Sequence, residues 1–358
     1  MAAAAGVSIA TVSRVLRTPD AVRETTRGKV LAVVADLGYV PSGNARALAG
    51  RRTGVLGLLF PGHDAIDADP DPGSAGPVVG GVTVRDDRGA PVAGGGPGSP
   101  FYFDEVLRGA EIEAWRQGFA LLVAAGRGPS VEVLLNDVAG RVDGLAVVAR
   151  TVPAELLTRV NRRVPVVVLA DTVHRDEFDH VGVDNAEGMR VLAGHVLQTL
   201  GVRDVVYVAG PSDSPDEHER FEGFRAALAA AGLPRRAVPV LRGDFSRGRA
   251  AELMAELLAE RVPRAVVCAN DQTALGVLDA TRARGLSVPG DVLVTGFDGI
   301  EATRFSDPPL TTVAQPMVQL GRAAVRSVVD RLSGPQTPPR SVRLPVEVLL
   351  RESCPPAR

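Results

Sequence analysis

Residues 6–16 read GVSIATVSRVL and predict a short helix that follows a tight turn. The hydroxyl of Ser8 can accept a free backbone N–H of the first helical turn, so Ser8 is the predicted cap. One face of the helix is apolar and must pack on another element; it is formed by Val7, Val12 and Val15. Hydroxyl groups and Arg14 are left pointing outward. Such a helix is typical of DNA-reading domains, and an ordinary surface helix is the alternative.

The positive charge is concentrated near this helix. Residues 1–52 hold eight basic and three acidic side chains, a net charge of +5, whereas the chain of 358 residues has a net charge of −2 and the remainder therefore −7. A small basic head on a larger acidic body indicates that only the head meets a polyanion such as DNA. The length and the 45% hydrophobic content predict two or three compact units.

Several classes of protein are excluded by composition. Cys268 and Cys354 are the only cysteines, which gives neither a disulfide framework nor a zinc pattern and suits a reducing cytoplasm. The opening MAAAA lacks the basic segment of a signal peptide, and no apolar run approaches the roughly 20 residues of a membrane span. We therefore expect a cytoplasmic protein that does not enter a membrane.

Motifs for catalysis, cofactors and metals are also missing. The sequence has no G-x-S-x-G, no H-E-x-x-H and no phosphate-binding loop, and the glycine run at 94–98 is not placed at a strand–helix turn. A calcium loop is imitated by Asp67, Asp69 and Asp71, but Pro72 and Val78 replace its glycine and its glutamate. We expect no enzyme activity, no catalytic residue, no cofactor and no bound metal.

Two further helices are predicted between residue 24 and residue 49. Residues 24–37 carry a helical apolar stripe, ended by Gly38, whose members are Val30, Leu31, Val34 and Leu37. Residues 42–49 read SGNARALA and could form a two-turn helix that is marginal in isolation. A helix that forms only when it is stabilised is a natural switch, and a plain linker is the alternative.

From residue 55 onward, apolar strand-like runs alternate with amphipathic stretches. The runs are 55–60, 119–124, 144–148, 164–169, 205–208, 265–268 and 292–295. In the first stretch between them, one helix face holds Val106, Leu107, Ala110 and Ala114, and Asn185 is the predicted cap of a helix that Gly201 ends. This pattern predicts an α/β fold in which two doubly wound, parallel-sheet subdomains enclose a cleft.

Residues 61–100 interrupt the pattern. They contain ten glycines, seven prolines and six aspartates, so they cannot bury enough apolar surface to fold alone. We expect a disordered surface insertion, with a local hairpin between 78–84 and 90–93. It would lie at the mouth of the cleft, where it could instead act as a lid.

Many ordered motifs resemble the lac-repressor (LacI/GalR) family. They are GVSIATVSRVL, LGY at residue 37, ARALAGRRTGVLGLL, FDEVLRG, RVDGL, VDNAEG, RFEGF, CANDQTALG, VTGFDGIE and PPLTTVAQP. The resemblance implies a helix-turn-helix head over 1–41, a hinge helix and linker over 42–53, and a periplasmic-binding-protein-like body over 54–358. The body would bind a small effector and form dimers.

The resemblance also implies which residues contact DNA. Ile9 and Ala10 fall at base-reading positions, and Arg14 suits a bidentate contact with guanine in the major groove. Leu48 matches a leucine that wedges into the minor groove. The full predicted set is Ser8, Ile9, Ala10, Thr11, Ser13, Arg14, Arg17, Ala45 and Leu48, in which the hydroxyls and Arg17 face phosphates.

For the effector, the resemblance implies an aromatic wall and a polar set. The aromatic residues are Tyr102, Phe103 and Phe245, for which core packing is the alternative. The polar residues are Asp171, Arg220, Asn270, Asp298 and Gln315. Carboxylate and amide groups with one arginine suit a polyhydroxylated ligand, so a sugar or sugar derivative is preferred over a purine-like ring.

The resulting hypothesis is a homodimeric repressor that binds double-stranded, pseudo-palindromic operator DNA under the control of this ligand. Family members usually have several residues before the position of Met1, so the first helix is expected to be half present, through either a misassigned start or a shortened head. That feature favours the alternative, a solute-binding or sensor protein whose DNA-binding head is vestigial.

Overall fold

The computed structural model divides into two compact units, Met1–Thr53 and Gly54–Arg358. In the part of the chain that it describes, no helix combines the length and the apolar composition that crossing a membrane requires. The described residues are 1–17, 19–37, 52–62, 78–79, 82–83, 100–126, 131–171, 177–234, 238–334 and 338–357.

The head contains three helices among its described residues: α1 (Ala2–Ala5), α2 (Ile9–Arg17) and α3 (Glu24–Asp36). The predicted cap of α2 is confirmed, because the Ser8 hydroxyl accepts the backbone N–H of Thr11 at 3.1 Å. The head core consists of Val12, Val15 and Val30, and the single turn of α1 packs Ala2 and Ala5 against it.

The predicted apolar stripe of α3 is only partly correct. Val30 is buried and Val34 packs beside it, but Leu31 and Leu37 are 46% and 58% exposed. A three-helix unit of this size encloses little volume, so it covers only the centre of the stripe. Gly38 and the predicted hinge helix over 42–49 lie outside the described residues.

The body is built from short strands and the helices between them. The strands are β1 (Val55–Pro61), β2 (Val78–Val79), β3 (Val82–Thr83), β4 (Ala120–Gly126), β5 (Gly144–Val148), β6 (Val166–Leu169), β7 (Asp179–Val183), β8 (Val205–Ala209), β9 (Val240–Arg242), β10 (Ala265–Cys268), β11 (Leu293–Asp298), β12 (Thr311–Ala314), β13 (Ser341–Leu344) and β14 (Glu347–Leu349). The helices are α4 (Pro100–Arg116), α5 (Val131–Ala139), α6 (Ala154–Asn161), α7 (Asn185–Gly194), α8 (Pro215–Ala230), α9 (Arg247–Glu260), α10 (Asp271–Ala283), α11 (Ala302–Phe305) and α12 (Met317–Ser333).

Two six-stranded sheets form two lobes. The N-lobe sheet has the order β13-β7-β6-β5-β1-β4, and all its neighbours run parallel. The C-lobe sheet has the order β14-β12-β11-β10-β8-β9, and only β14 runs antiparallel to its neighbour. In β1, Leu58 and Leu59 are buried in different cores on opposite faces of the sheet. The predicted doubly wound α/β fold with two subdomains is confirmed.

The chain passes between the lobes three times. It leaves the N-lobe after β7, returns between β12 and α12, and crosses again between β13 and β14. Because these crossings lie together, the carboxyl ends of strands from both sheets face one cleft.

Some local predictions were wrong. Asn185 does not cap α7; it is the first helical residue, 2% exposed, and its side chain points into the C-lobe toward a buried arginine that needs acceptors. The hairpin pairs Val78–Val79 with Val82–Thr83, so both of its strands lie within 78–84, which was predicted to be a single strand. The other predicted strand, 90–93, is outside the described residues. β7, β9, β12, β13 and β14 were missed because polar residues interrupt their short apolar runs.

Candidate functional site

The outward face of α2 carries the predicted DNA-reading residues. Ile9 is 79% exposed although it is a large apolar side chain, and Ala10 and Arg14 are also exposed. Thr11 and Ser13 are half-buried, and the Thr11 hydroxyl lies 2.9 Å from the Ser8 hydroxyl. Ala45 and Leu48 lie outside the described residues, as does the side chain of Arg17. This face therefore exposes one large apolar side chain and one arginine to solvent.

The body contains a cavity of about 190 Å³ between the two lobes. It is large enough for a small organic ligand, since a single water molecule needs only about 10–15 Å³ of such volume. Residues of both lobes form its wall: Pro61, Gly62, Tyr102, Phe103, Val148, Ala149, Arg150 and Ala170 from the N-lobe, and Ser214, Pro215, Asp216, Arg220, Phe245, Asn270 and Asp298 from the C-lobe.

Arg220 organises the C-lobe side of the cavity. It projects from α8, is 3% exposed, and donates from Nε to the Asn185 amide oxygen at 2.9 Å and from a terminal nitrogen to the Ala269 carbonyl at 2.8 Å. The same terminal nitrogen lies 3.2 Å from Asp298 Oδ1. The guanidinium carbon lies 4.0 Å from the centre of the Phe297 ring, a cation–π contact. The guanidinium is therefore held in one position before any ligand arrives.

Asp298 is fixed from two sides. Gln315, which is buried, donates to Asp298 Oδ1 at 2.7 Å, and Arg220 approaches the same oxygen. Burial raises the pKa of Asp298, while Arg220 and Gln315 oppose the rise by stabilising the carboxylate. Asp298 has φ 120°, outside the conformations that most residues adopt, so the surrounding structure must hold it in place.

Asp216 places a second carboxylate on the cavity wall. It lies in the first turn of α8, and its Oδ1 accepts the Asn185 amide at 2.8 Å. Burial raises its pKa to about 6, although Arg220 and the Asn185 hydrogen bond act in the opposite direction. Asn185 thus links Asp216 to Arg220, since its amide donates to one and its oxygen accepts from the other.

Aromatic rings close the cavity from both lobes. Tyr102 and Phe103 lie edge to face in α4, with ring centres 5.4 Å apart. On the C-lobe side, Phe245 is held at φ 59° in the left-handed region. Its ring packs on Gly210, where an added Cβ would lie 2.2 Å from the ring, so only glycine leaves Phe245 in place.

Glu217 lies next to Asp216 but points into the C-lobe, where it is 4% exposed. Its carboxylate accepts the Gly210 backbone N–H at 2.9 Å, and the Tyr207 hydroxyl donates to it at 3.4 Å. Burial raises the pKa of Glu217 from 4.5 to about 7. The group therefore titrates near neutral pH, next to the loop that forms the cavity wall.

Replacing Glu217 by glutamine is expected to flatten the pH dependence of stability. The folded chain holds the Glu217 proton more tightly than the unfolded chain, so the wild-type free energy of unfolding falls as pH rises from 4.5 toward about 7. The loss due to this group is roughly 2–3 kcal/mol at most, from the size of the pKa shift. Urea unfolding at pH 5 and pH 8 measures it. Glu222→Gln, on the exposed side of the same helix, is the control; equal losses in Glu217→Gln and the wild type would contradict the expectation.

Six of the eight predicted effector residues line the cavity, and two do not. Gln315 supports Asp298 from behind, and Asp171 lies in the N-lobe with Oδ2 3.6 Å from His180 Nδ1. Asn270 lines the cavity and also caps α10, where its side-chain oxygen accepts the Thr273 N–H at 2.9 Å. Sequence reasoning missed Arg150, which lies two residues after the end of β5, and Asp216, which lies in the first turn of the helix that follows β8.

Two ion pairs join the lobes near the cavity. Arg150 of the N-lobe donates from Nε and from a terminal nitrogen to Asp213 of the C-lobe, at 2.9 and 2.6 Å. Arg343 on β13 pairs with Glu219 on α8. Both pairs are partly exposed, so each contributes little to stability.

Among the described residues, no group of three or more histidine, cysteine or acidic side chains could hold a metal ion. Asp67, Asp69 and Asp71, which imitate a calcium loop, lie outside the described residues.

Comparison with family models assigns both units. Residues 1–42 match the model described as bacterial regulatory proteins, lacI family, and residues 195–354 match the model of a periplasmic binding protein-like domain. The transcriptional regulator CelR of Thermobifida fusca is 32% identical over 370 residues, which span 99% of this chain and 96% of CelR.

Solved structures agree with these matches. A complex of the regulator CelR with cellobiose is 30% identical, with a TM-score of 0.67 and coverage of 98% of both chains. The lac repressor dimer bound to operator and the anti-inducer ONPF is 25% identical, with a TM-score of 0.78 and coverage of 99% of this chain and 97% of the repressor. All of these similar proteins are transcription regulators.

Proposed function

The chain belongs to the lacI family of bacterial regulatory proteins, and from this we propose that it represses transcription by binding operator DNA under the control of a small ligand in the interlobe cavity. The observation that carries the proposal is the combination in one chain of an exposed α2 face and a polar cavity between two lobes. The ligand acts through its different affinities for the DNA-competent and DNA-incompetent states.

For DNA, the proposed reading residues are Ile9, Ala10 and Arg14. The exposed apolar pair suits thymine methyl groups, and Arg14 suits the two acceptors of guanine. Ser8, Thr11, Ser13 and Arg17 would contact phosphates, and Leu48 of the hinge would enter the minor groove, as the family resemblance implies; Ala45 completes the proposed DNA-binding set.

For the ligand, we propose a sugar or sugar derivative. Carboxylates of Asp216 and Asp298 accept hydroxyl hydrogens, and the amide nitrogen of Asn270 donates to hydroxyl oxygens. Tyr102 and Phe245 provide flat apolar surfaces on opposite sides of the cavity. The cellobiose in the CelR complex supports this class, since it shows that a similar chain binds a sugar.

A homodimer would give two α2 helices that read the two halves of a pseudo-palindrome. Large exposed apolar side chains support such an assembly: Trp115 on α4 and Phe305 on α11 are each 79% exposed, and Val123 is 46% exposed on β4, at the edge of the N-lobe sheet. A second copy that covers them would remove both the apolar surface and the open sheet edge from water.

Selection from a random double-stranded DNA library tests the DNA half of the proposal. The wild-type chain should enrich a two-fold symmetric sequence, and Arg14→Ala should bind it about 10–100-fold more weakly with relaxed preference at one base pair of each half. Arg190→Ala, which removes an exposed arginine of the body, is the matched control. A chain with a vestigial head would enrich no sequence, and unchanged binding by Arg14→Ala would remove the assigned reading role.

A further inference from the structure

Both cations on the cavity wall are already paired with carboxylates. Arg150 directs two donors at a single oxygen of Asp213, at 2.9 and 2.6 Å. Arg220 lies 3.2 Å from Asp298 Oδ1 and spends further donors on Asn185 and Ala269. Neither arginine offers an uncompensated positive charge to a ligand.

Asp216 stands in a different environment. The hydrogen bond to its Oδ1 comes from the uncharged Asn185 amide, and the ion pairs found among the described residues do not include Asp216. Its pKa of about 6, raised by burial, keeps the carboxylate mostly ionised at pH 7.5. Tyr102 lies on the same cavity wall, where burial, followed by the charges of Asp216 and Asp298, raises the pKa of its hydroxyl. Among the described residues, Asp216 is therefore a carboxylate of the cavity wall that forms no ion pair with an arginine, although the charge of Arg220 stabilises it from further away.

We propose that Asp216 makes this cavity select against anionic ligands, so that the effector is an uncharged polyhydroxylated molecule and not its phosphate ester or its acid. This rests on the proposed function, which supplies the ligand class. A ligand hydroxyl can donate a hydrogen bond to the Asp216 carboxylate. The oxygens of an ionised carboxylate or phosphate in the same cavity of about 190 Å³ only accept hydrogen bonds, and their charge repels Asp216. The repulsion between the two negative charges weakens binding at pH 7.5 by up to about 30-fold, because Asp216, with its pKa of about 6, takes up a proton when the cost would be higher.

The test uses the full chain and matched pairs of compounds. An equimolar mixture of uncharged sugars (ribose, glucose, galactose and cellobiose), phosphate esters (ribose 5-phosphate and glucose 6-phosphate) and acids (gluconate and galacturonate) is incubated with the protein. Retained compounds are identified by mass spectrometry after ultrafiltration, and their dissociation constants are measured by calorimetry. The proteins are the wild type, Asp216→Asn, and Glu222→Gln, which removes a charge from the exposed side of α8.

At pH 7.5 the wild type and Glu222→Gln should bind an uncharged sugar about 10–30-fold more tightly than its ester or acid. Asp216→Asn should reduce that ratio to about threefold or less, mainly by gaining affinity for the anion. Equal retention of an ester or acid by the wild type overturns the inference and leaves ligand-controlled DNA binding intact. An unchanged ratio in Asp216→Asn overturns the role of this residue. If none of the three proteins retains any compound, the proposed sugar ligand is wrong, and the inference is overturned with it.

Discussion

Replacing Arg220 by alanine is expected to lower the free energy of unfolding by roughly 3–5 kcal/mol at pH 7.5. The change removes the partner of Asp298 and leaves that carboxylate buried at 5% exposure without its positive neighbour. It also leaves the Asn185 oxygen and the Ala269 carbonyl without their donor and opens space over the Phe297 ring. Urea unfolding of the wild type and the variant measures the difference.

A second substitution separates charge from packing. Arg220→Ala with Asp298→Asn should recover about 1–3 kcal/mol of the loss, because the amide no longer needs a positive partner. The remaining loss reflects the missing hydrogen bonds and the empty space. If Arg220→Ala stays within about 1 kcal/mol of the wild type, or if the double variant recovers nothing, then Arg220 does not hold the buried charge of Asp298.

Replacing Gly321 by alanine is expected to cost about 3 kcal/mol through a different mechanism, the separation of two helices. An added Cβ at Gly321 of α12 would lie 2.0 Å from the Val106 carbonyl oxygen of α4, and one at Gly109 of α4 would lie 2.0 Å from the Val318 carbonyl oxygen of α12. Backbone atoms cannot rotate away as side chains do, so the helices must move apart and lose contacts along their length.

The control is Gly248→Ala, which places the same methyl group at an exposed position of α9, where the added Cβ has no neighbour within 4 Å. It should raise stability by about 0.5–1 kcal/mol, since alanine favours helix over glycine. The double variant of Gly109 and Gly321 should cost less than the sum of its two single changes, because the first change has already separated the helices. A Gly321→Ala variant as stable as the wild type would show that α4 and α12 do not pack this closely.

The fold was predictable where the apolar pattern is continuous. The runs that became β1, β5, β8 and β10 are uninterrupted and short, and their alternation with amphipathic stretches indicates buried parallel strands. Strands such as β7, which begins with Asp179 and His180, were not predictable, because the tertiary contacts that bury those polar groups are invisible in a local window. Asp179 is buried against Arg331, which lies 152 residues away.

The candidate site was only partly predictable for a related reason. Arg220 and Asp298 lie in motifs that resemble the lac-repressor family, so they could be assigned, and the structure brings them together. Asn185 was misassigned as a helix cap, because nothing in the sequence indicates that Arg220 lies beside it. Asp216 was missed because its role depends on how three separate crossings bring the two lobes together.

Ligand-controlled repression requires that the ligand and the operator alter each other's affinity for the protein. The measurement is the dissociation constant of the full chain for the DNA sequence it selects, with and without a saturating concentration of the sugar it retains, followed by the dissociation constant for that sugar with and without the DNA. We expect both constants to change by the same factor, between about 5-fold and 150-fold, because linkage between two sites on one protein is reciprocal. If neither ligand alters the affinity for the other, the cavity does not control the DNA-binding head and the account is wrong.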